Sequence, residues 1–286
     1  GFEIVAIQTS NSERIAQANS DFPSAAICSS AEELLSHNLD LLIVASINTA
    51  HEANAKAAID AGVAVVVDKP MATTLAGTRE LFNYAESKNV PITVFFNRLW
   101  DSDTLSIQKI LASGELGKIF RYESRFERYR PTLNPNAWRE PTDENAGGGL
   151  LLDLQTHLIA ISLDLFGAAE LSHASVKSIR GGADDDVVLV LRHESGVDSY
   201  LMASAVIGSP GPRVRLHGLA GTLEVRDLDH QEELLRKGYR PESGRWSDAE
   251  LVSSDIRITA GERSFTYPSV PGNYSEFYSK VRVALE

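Results

Sequence analysis

Val63-Ala64-Val65-Val66-Val67-Asp68-Lys69-Pro70 opens with five apolar residues and no polar alternation, so it reads as a strand that must be buried on both faces. Gly62 stands before it as a helix stop, and Pro70 fixes the direction in which the chain leaves. Helical patterns flank it at Thr49–Ala61 and Thr73–Lys88. Beyond these lie two more apolar strands, Asp40–Ser46 and Pro91–Phe96. Glu3–Ile7 and Ala25–Cys28 read as shorter strands, each followed by a helix that Asn11 or Ser12, and then Ser30, can cap. Strands alternating with helices predict a parallel, doubly wound sheet.

In such a sheet ligands bind past the carboxyl ends of the strands. That rule nominates Gln8-Thr9-Ser10-Asn11-Ser12 with nearby Arg14, Ser46-Ile47-Asn48-Thr49-Ala50-His51, Asp68-Lys69-Pro70 and Asn97-Arg98. No G-x-G-x-x-G occurs in the chain, although that turn normally follows the first strand of a dinucleotide-binding fold.

The pattern changes after Arg98. A helix at Asp101–Ala112, a long strand at Lys118–Arg130 and a loop at Asn134–Asn145 lead to Gly147-Gly148-Gly149-Leu150-Leu151-Leu152-Asp153-Leu154-Gln155-Thr156-His157. Three glycines in a row call for positive φ or a close backbone approach. Asp153 and His157, four apart on the helix that follows, fall on one face a turn apart, and such a pair is suited to proton transfer near neutral pH. The bland alternative is a loop, a helix-start carboxylate and a packed histidine. Strands then dominate: Ser172–Arg180, Val187–His193, Val197–Val206, Arg213–His217 and Thr222–Arg226, with a hairpin connection at Glu194-Ser195-Gly196. The expected domains are residues 1–98, binding a dinucleotide, and residues 99–286, an α+β domain with a large, mainly antiparallel sheet.

Composition narrows the partners. The chain has 286 residues, a net charge of −12, and 43% hydrophobic against 23% charged residues. Nucleic acid is an unexpected partner for so acidic a chain, and the Arg121, Arg125, Arg128 and Arg130 cluster, interleaved with Glu123 and Glu127, reads as a strand with a solvated face. No apolar run reaches the roughly 18 residues of a membrane span, and no signal peptide opens the chain, so a cytoplasmic protein is expected. Cys28 is the sole cysteine. Asp184-Asp185-Asp186 lacks the spaced ligands of a calcium loop and reads as a solvated turn, and no H-E-x-x-H is present, so no metal is expected.

Four segments carry a resemblance to the glucose–fructose oxidoreductase/inositol dehydrogenase (Gfo/Idh/MocA) family. The glycine stretch is similar to that family's G-G-G-x-L-x-D-x-G-x-H, departing at Gln155, where glycine is usual. Asp68-Lys69-Pro70 resembles its E-K-P, Ala45–His51 its A-T-P-N-x-x-H with Ile47 in place of proline, and Trp138-Arg139 its W-R. Asn97-Arg98 resembles a stretch found in a subset of members. The resemblance implies a Rossmann domain whose second strand is Glu3–Ile7, so the family's first strand and glycine turn are expected upstream of Gly1. It implies NAD or NADP as cofactor and a sugar, polyol or related small molecule as substrate. It also implies a homodimer or homotetramer formed through the sheet of the second domain.

Lys69, Asp153 and His157 are then the catalytic residues: His157 takes the hydroxyl proton, Lys69 stabilises the alkoxide, and Asp153 orients. The cofactor would be met by Thr9, Ser10, Asn11, Arg14, Ser46, Ile47, Asn48, His51, Asp68, Lys69, Pro70, Asn97 and Arg98. His51 also reads as a structural helix-start histidine, and Arg98 as a domain-interface ion pair. An NAD site usually ends its second strand in Asp or Glu. Here Gln8–Ser12 offers no acid, which predicts that NADP is accepted at least as well as NAD. A non-catalytic dinucleotide sensor and an imine or biliverdin-type reductase are the alternatives.

Overall fold

Residues 64–67 are buried in the computed structural model, which describes residues 1–134, 137, 139–140, 147–241 and 255–286. The Asn134–Asn145 loop, with Pro135, Trp138 and Pro141, lies largely outside the described residues. The chain divides into two units, Gly1–Phe95 with Ser279–Glu286, and Phe96–Tyr278. The last eight residues thus group with the first unit, whereas the sequence reading carried the second domain to residue 286.

The first unit runs β1 (Ala6–Gln8), α1 (Ser12–Asp21), β2 (Ala26–Cys28), α2 (Ala31–Leu35), β3 (Leu41–Val44), α3 (His51–Asp60), β4 (Ala64–Asp68), α4 (Leu75–Lys88) and β5 (Ile92–Phe95). Every strand pairing is parallel, as the alternating pattern requires. β1 pairs with β2, and β3–β4–β5 form a separate sheet with β4 central. The helices start as the local chemistry dictates. The Asn11 carboxamide accepts from Arg14 N, Ser30 Oγ from Glu33 N and Thr74 Oγ1 from Gly77 N, each satisfying a first-turn N–H that has no helical partner. Val44, Ala55, Ile59, Val65, Val67 and Leu81 form the core between strands and helices.

The second unit contains α5 (Ser102–Ser113), β6 (Ile119–Glu127), α6 (Thr156–Phe166), β7 (Ala169–Lys177), β8 (Asp186–His193), β9 (Asp198–Ser204), β10 (Val214–Gly218), β11 (Gly221–Val225), α7 (Gln231–Arg236), β12 (Ile256–Ala260) and β13 (Arg263–Tyr267). The final helix, α8 (Ser275–Leu285), begins in this unit. Eight strands form one sheet in the order β13-β12-β11-β10-β6-β9-β8-β7, antiparallel except where β6 meets β9. One sheet face is apolar. Tyr122, Leu189, Leu201, Leu216, Leu223 and Ile258 bury themselves in the same cluster as Ile107 and Ile110 of α5 and Leu158 and Ile161 of α6. α5 and α6 belong to that cluster, so the apolar face is internal.

The segment ahead of α6 departs from the expected α-helix. Leu151–Gln155 forms a π-helical turn, and the regular helix starts only at Thr156. Wider turns shift Asp153 relative to His157, so the simple four-residue spacing on one α-helical face does not describe the pair.

Candidate active site

In the first unit the carboxyl ends of β1, β3 and β4 carry the nominated residues. At the end of β4, Lys69 and Pro70 are joined by a cis peptide bond, and Lys69 N donates to Asp68 Oδ1 at 2.9 Å. His51 is 1% exposed. Its Nδ1 lies 2.7 Å from the Pro70 carbonyl oxygen and its Nε2 3.1 Å from that of Ser46. The imidazole therefore ties the turn after β3 to the turn after β4, which is the structural role rather than a catalytic one. Asn48 is buried beside it, while Ser46 and Ile47 are exposed. After β1, Thr9 is half-buried, and Ser10, Asn11 and Arg14 are exposed around the start of α1. Hydroxyls, a carboxamide and a guanidinium at a helix N-terminus suit a phosphorylated ribose, with Glu13 the one carboxylate in that first turn. The residues present thus fit a dinucleotide.

In the second unit the glycines behave as their chemistry demands. Gly147 and Gly149 take φ of 67° and 84°, and a Cβ on Gly148 would come within 2.7 Å of the Arg139 carbonyl oxygen. A Cβ on Gly149 would strike the Asp184 carboxylate. That carboxylate accepts from Leu151 N at 2.7 Å, and the Asp184 carbonyl accepts from Leu150 N at 3.0 Å. Asp185 is 1% exposed and accepts from the backbone of Ile179 and from Arg180. The triple aspartate is therefore a structural knot that starts a helix and closes a loop, correcting its reading as a solvated turn. No cluster of metal-ligating side chains is present among the described residues.

Asp153 is 24% exposed at its side chain and lies 3.4 Å from Arg139 Nε. His157 is 5% exposed and packs on Phe126 with ring centroids 6.4 Å apart. The Phe126 ring also carries two guanidiniums, Arg213 at 3.9 Å and Arg98 at 5.3 Å. Arg213 is 5% exposed and donates to Ser124 Oγ and the Arg125 carbonyl oxygen. Arg98 donates to Asp101 at 3.1 Å and Glu232 at 2.6 Å. Its terminal nitrogens are committed within the second unit. Asn97 stands in the preceding 3₁₀ turn. Gln155, where the family usually has glycine, is fully buried and donates to the Leu201 carbonyl oxygen at 2.9 Å, pinning the π turn to β9. Phe126 and Arg213 carried no signal in the sequence, because only strand register brings them beside His157.

Comparison with known proteins gives the family. Residues 1–96 match the oxidoreductase family with an NAD-binding Rossmann fold, and residues 104–224 match the GFO/IDH/MocA C-terminal domain. The chain belongs to the Gfo/Idh/MocA family. It is 33% identical to the oxidoreductase YdgJ of Escherichia coli over all of its length and 82% of the relative's. It is 32% identical to the scyllo-inositol 2-dehydrogenase (NADP(+)) IolW of Bacillus subtilis, covering 99% of this chain and 79% of that one. The solved oxidoreductase yvaA from Bacillus subtilis superposes with a TM-score of 0.85 at 31% identity, over 98% of this chain and 80% of that one. As a Gfo/Idh/MocA protein, the chain is an NAD(P)-dependent dehydrogenase or reductase, with the cofactor held by its Rossmann unit.

Proposed function

We propose that this oxidoreductase interconverts a carbinol and a carbonyl carbon on a polyol or sugar, with NADP accepted at least as well as NAD. The observation that carries the reading is His157, a buried imidazole on an aromatic floor in the first turn of α6, with the part-exposed carboxylate of Asp153 in the π-helical turn just before it. The substrate class is supported by the relative that acts on scyllo-inositol. The NADP preference is supported by the exposed Ser10, Asn11 and Arg14 after β1, which itself ends in Gln8 rather than a carboxylate, and by that same relative's cofactor.

A bound nicotinamide supplies the acceptor for the hydride that leaves the carbinol carbon. His157 takes the hydroxyl proton as the O–H bond breaks and returns it in the reverse direction. Lys69, presented by the cis turn after β4, stabilises the negative charge that develops on the oxygen. Asp153 holds the substrate hydroxyl and the imidazole in register. Arg98, Phe126 and Arg213 form the floor beneath His157 and keep water from it on that side.

The test is a panel of scyllo-inositol, myo-inositol, D-glucose and D-xylose offered with NADP⁺ and with NAD⁺, following reduced cofactor by absorbance. Turnover of at least one polyol or sugar, with kcat/KM for NADP⁺ no lower than for NAD⁺, is expected. Tight NADPH binding with no turnover in either direction would instead identify a non-catalytic dinucleotide sensor. A tenfold preference for NAD⁺ would overturn the cofactor assignment alone.

A further inference from the structure

One cation near Asp153 has no part in the chemistry described so far. Tyr122, Ser124 and Phe126 alternate along β6 and face the helix layer, each buried. Tyr122 meets Phe166 with ring centroids 5.3 Å apart, and Phe126 meets His157 at 6.4 Å. Strand and helix therefore run antiparallel, and their rises match. The four steps from Tyr122 to Phe126 span about 13 Å, and the nine helical steps from His157 to Phe166 span about the same. Continuing two residues past Phe126, by about 6.6 Å, leads to Arg128 on the same strand face. Moving back about four residues from His157 covers a similar distance and leads to Asp153. The register thus carries Arg128 toward Asp153.

The backbone supports that placement. Arg128 N donates to the Ser204 carbonyl oxygen at 2.9 Å, which carries the β6–β9 pairing one residue past Glu127; Ile207 N donates to the Arg128 carbonyl oxygen at 3.0 Å, where Tyr129 bridges Val206 in the antiparallel sense. Its guanidinium makes no hydrogen bond or ion pair among the described residues, in contrast to Arg98, Arg125, Arg139, Arg180 and Arg213. Lost hydration and the like charge of Arg130 push its pKa below the ordinary arginine value, and Asp153 opposes them. Arg128 is exposed, so its guanidinium donors are open to a ligand.

We propose that Arg128 is a substrate-binding residue that donates to two neighbouring hydroxyl oxygens of the polyol or sugar, beside the carbon that reacts. A guanidinium fork and a carboxylate together suit a diol, because each hydroxyl accepts from the first and donates to the second. An anionic substrate group would be attracted by Arg128 but repelled by Asp153, so the pair selects neutral vicinal hydroxyls. The sequence reading of the Arg121–Arg130 cluster as one solvated face is corrected here. Arg125 is bound to Glu123 on the other strand face, and Arg128 serves the helix side.

This inference rests on the proposed reaction, and its test separates the two. The best polyol found in the panel is compared with its deoxy analogue lacking the hydroxyl next to the reacting carbon, using wild type, Arg128→Gln and Arg128→Lys. Arg128→Gln should raise KM for the full polyol roughly 10- to 100-fold, the loss expected for charge-assisted hydrogen bonds, with a smaller change in kcat. Calorimetric titration of the same polyol into NADP⁺-loaded protein should weaken by the same factor, while NADPH affinity stays at the wild-type value and so reports an intact fold. Arg128→Lys should recover part of the loss. The deoxy analogue, which keeps only one of the two hydroxyls, should lose clearly less than the full polyol between wild type and Arg128→Gln. An unchanged KM in Arg128→Gln, or an equal loss on the deoxy analogue, overturns the inference while leaving the proposed reaction standing. A wild type that neither binds nor oxidises any polyol of the panel overturns both.

Discussion

At the residue scale the glycines and the catalytic candidates differ in how much of their role is local. Gly147 and Gly149 announce positive φ because a missing Cβ is a property of the residue itself. What the glycines make room for, the Asp184 carboxylate that caps Leu151, lies 33 residues away and leaves no trace in the local pattern. Lys69, Asp153 and His157 were nominated from the chain alone, and their roles remain a proposal with a sharp kinetic signature. Lys69→Met should lower kcat by roughly 10²–10³, the usual loss for one preorganised electrostatic stabiliser. His157→Ala should cost roughly 10²–10⁴. In the double variant the losses should fall well short of their product, since groups that act on one oxygen do not contribute independently. Steady-state kinetics on the identified substrate decide this. Near-normal turnover in His157→Ala alongside an inactive Lys69→Met would leave lysine as the sole proton carrier.

At the scale of elements, the N-terminus of α5 holds a buried polar cluster that the sequence did not disclose. Asp101 is fully buried and accepts from Tyr274 Oη at 2.7 Å and from Arg98 at 3.1 Å. Burial pushes its carboxyl up to about 7 against the pull of Arg98, and Asp103 and Asp229 reinforce the rise. Glu232, on α7, faces the same Arg98. A carboxyl whose folded pKa lies above its ordinary value of about 3.9 keeps a proton that the unfolded chain has released. The stability it contributes is complete below that lower value and is lost as pH rises through about 7. Thermal unfolding should therefore show a Tm that falls from about pH 4.5 to about pH 7 and levels off above it, with a shallower slope in Asp101→Asn. An identical slope in the variant would place the titration on another group. The same α7, together with β12 and β13, was absent from the sequence reading. Ile256-Arg257-Ile258 alternates too briefly to stand out, and only pairing with β11 makes it a strand.

For the whole molecule, the sheet of the second unit bears on the self-association that the family resemblance implies. With α5 and α6 packed on its apolar face, the opposite face presents rows of charge. Glu123, Arg215, Glu224 and Arg257 stand side by side across β6, β10, β11 and β12. Alternating signs are self-complementary about a two-fold axis. We propose that two copies meet on this face, and that added salt weakens the contact. Sedimentation at micromolar concentration should show a dimer whose monomer fraction grows with salt and in Arg257→Glu. A monomer at low salt would remove the idea. By itself the sequence determined the parallel first unit, the cofactor class and the catalytic candidates, because strand burial, glycine freedom and short motifs are written within a few residues. The tertiary structure alone decided the floor of Arg98, Phe126 and Arg213 and the capping Asp184. Those depend on strand register and helix rise, which bring together residues tens of positions apart that no local pattern connects.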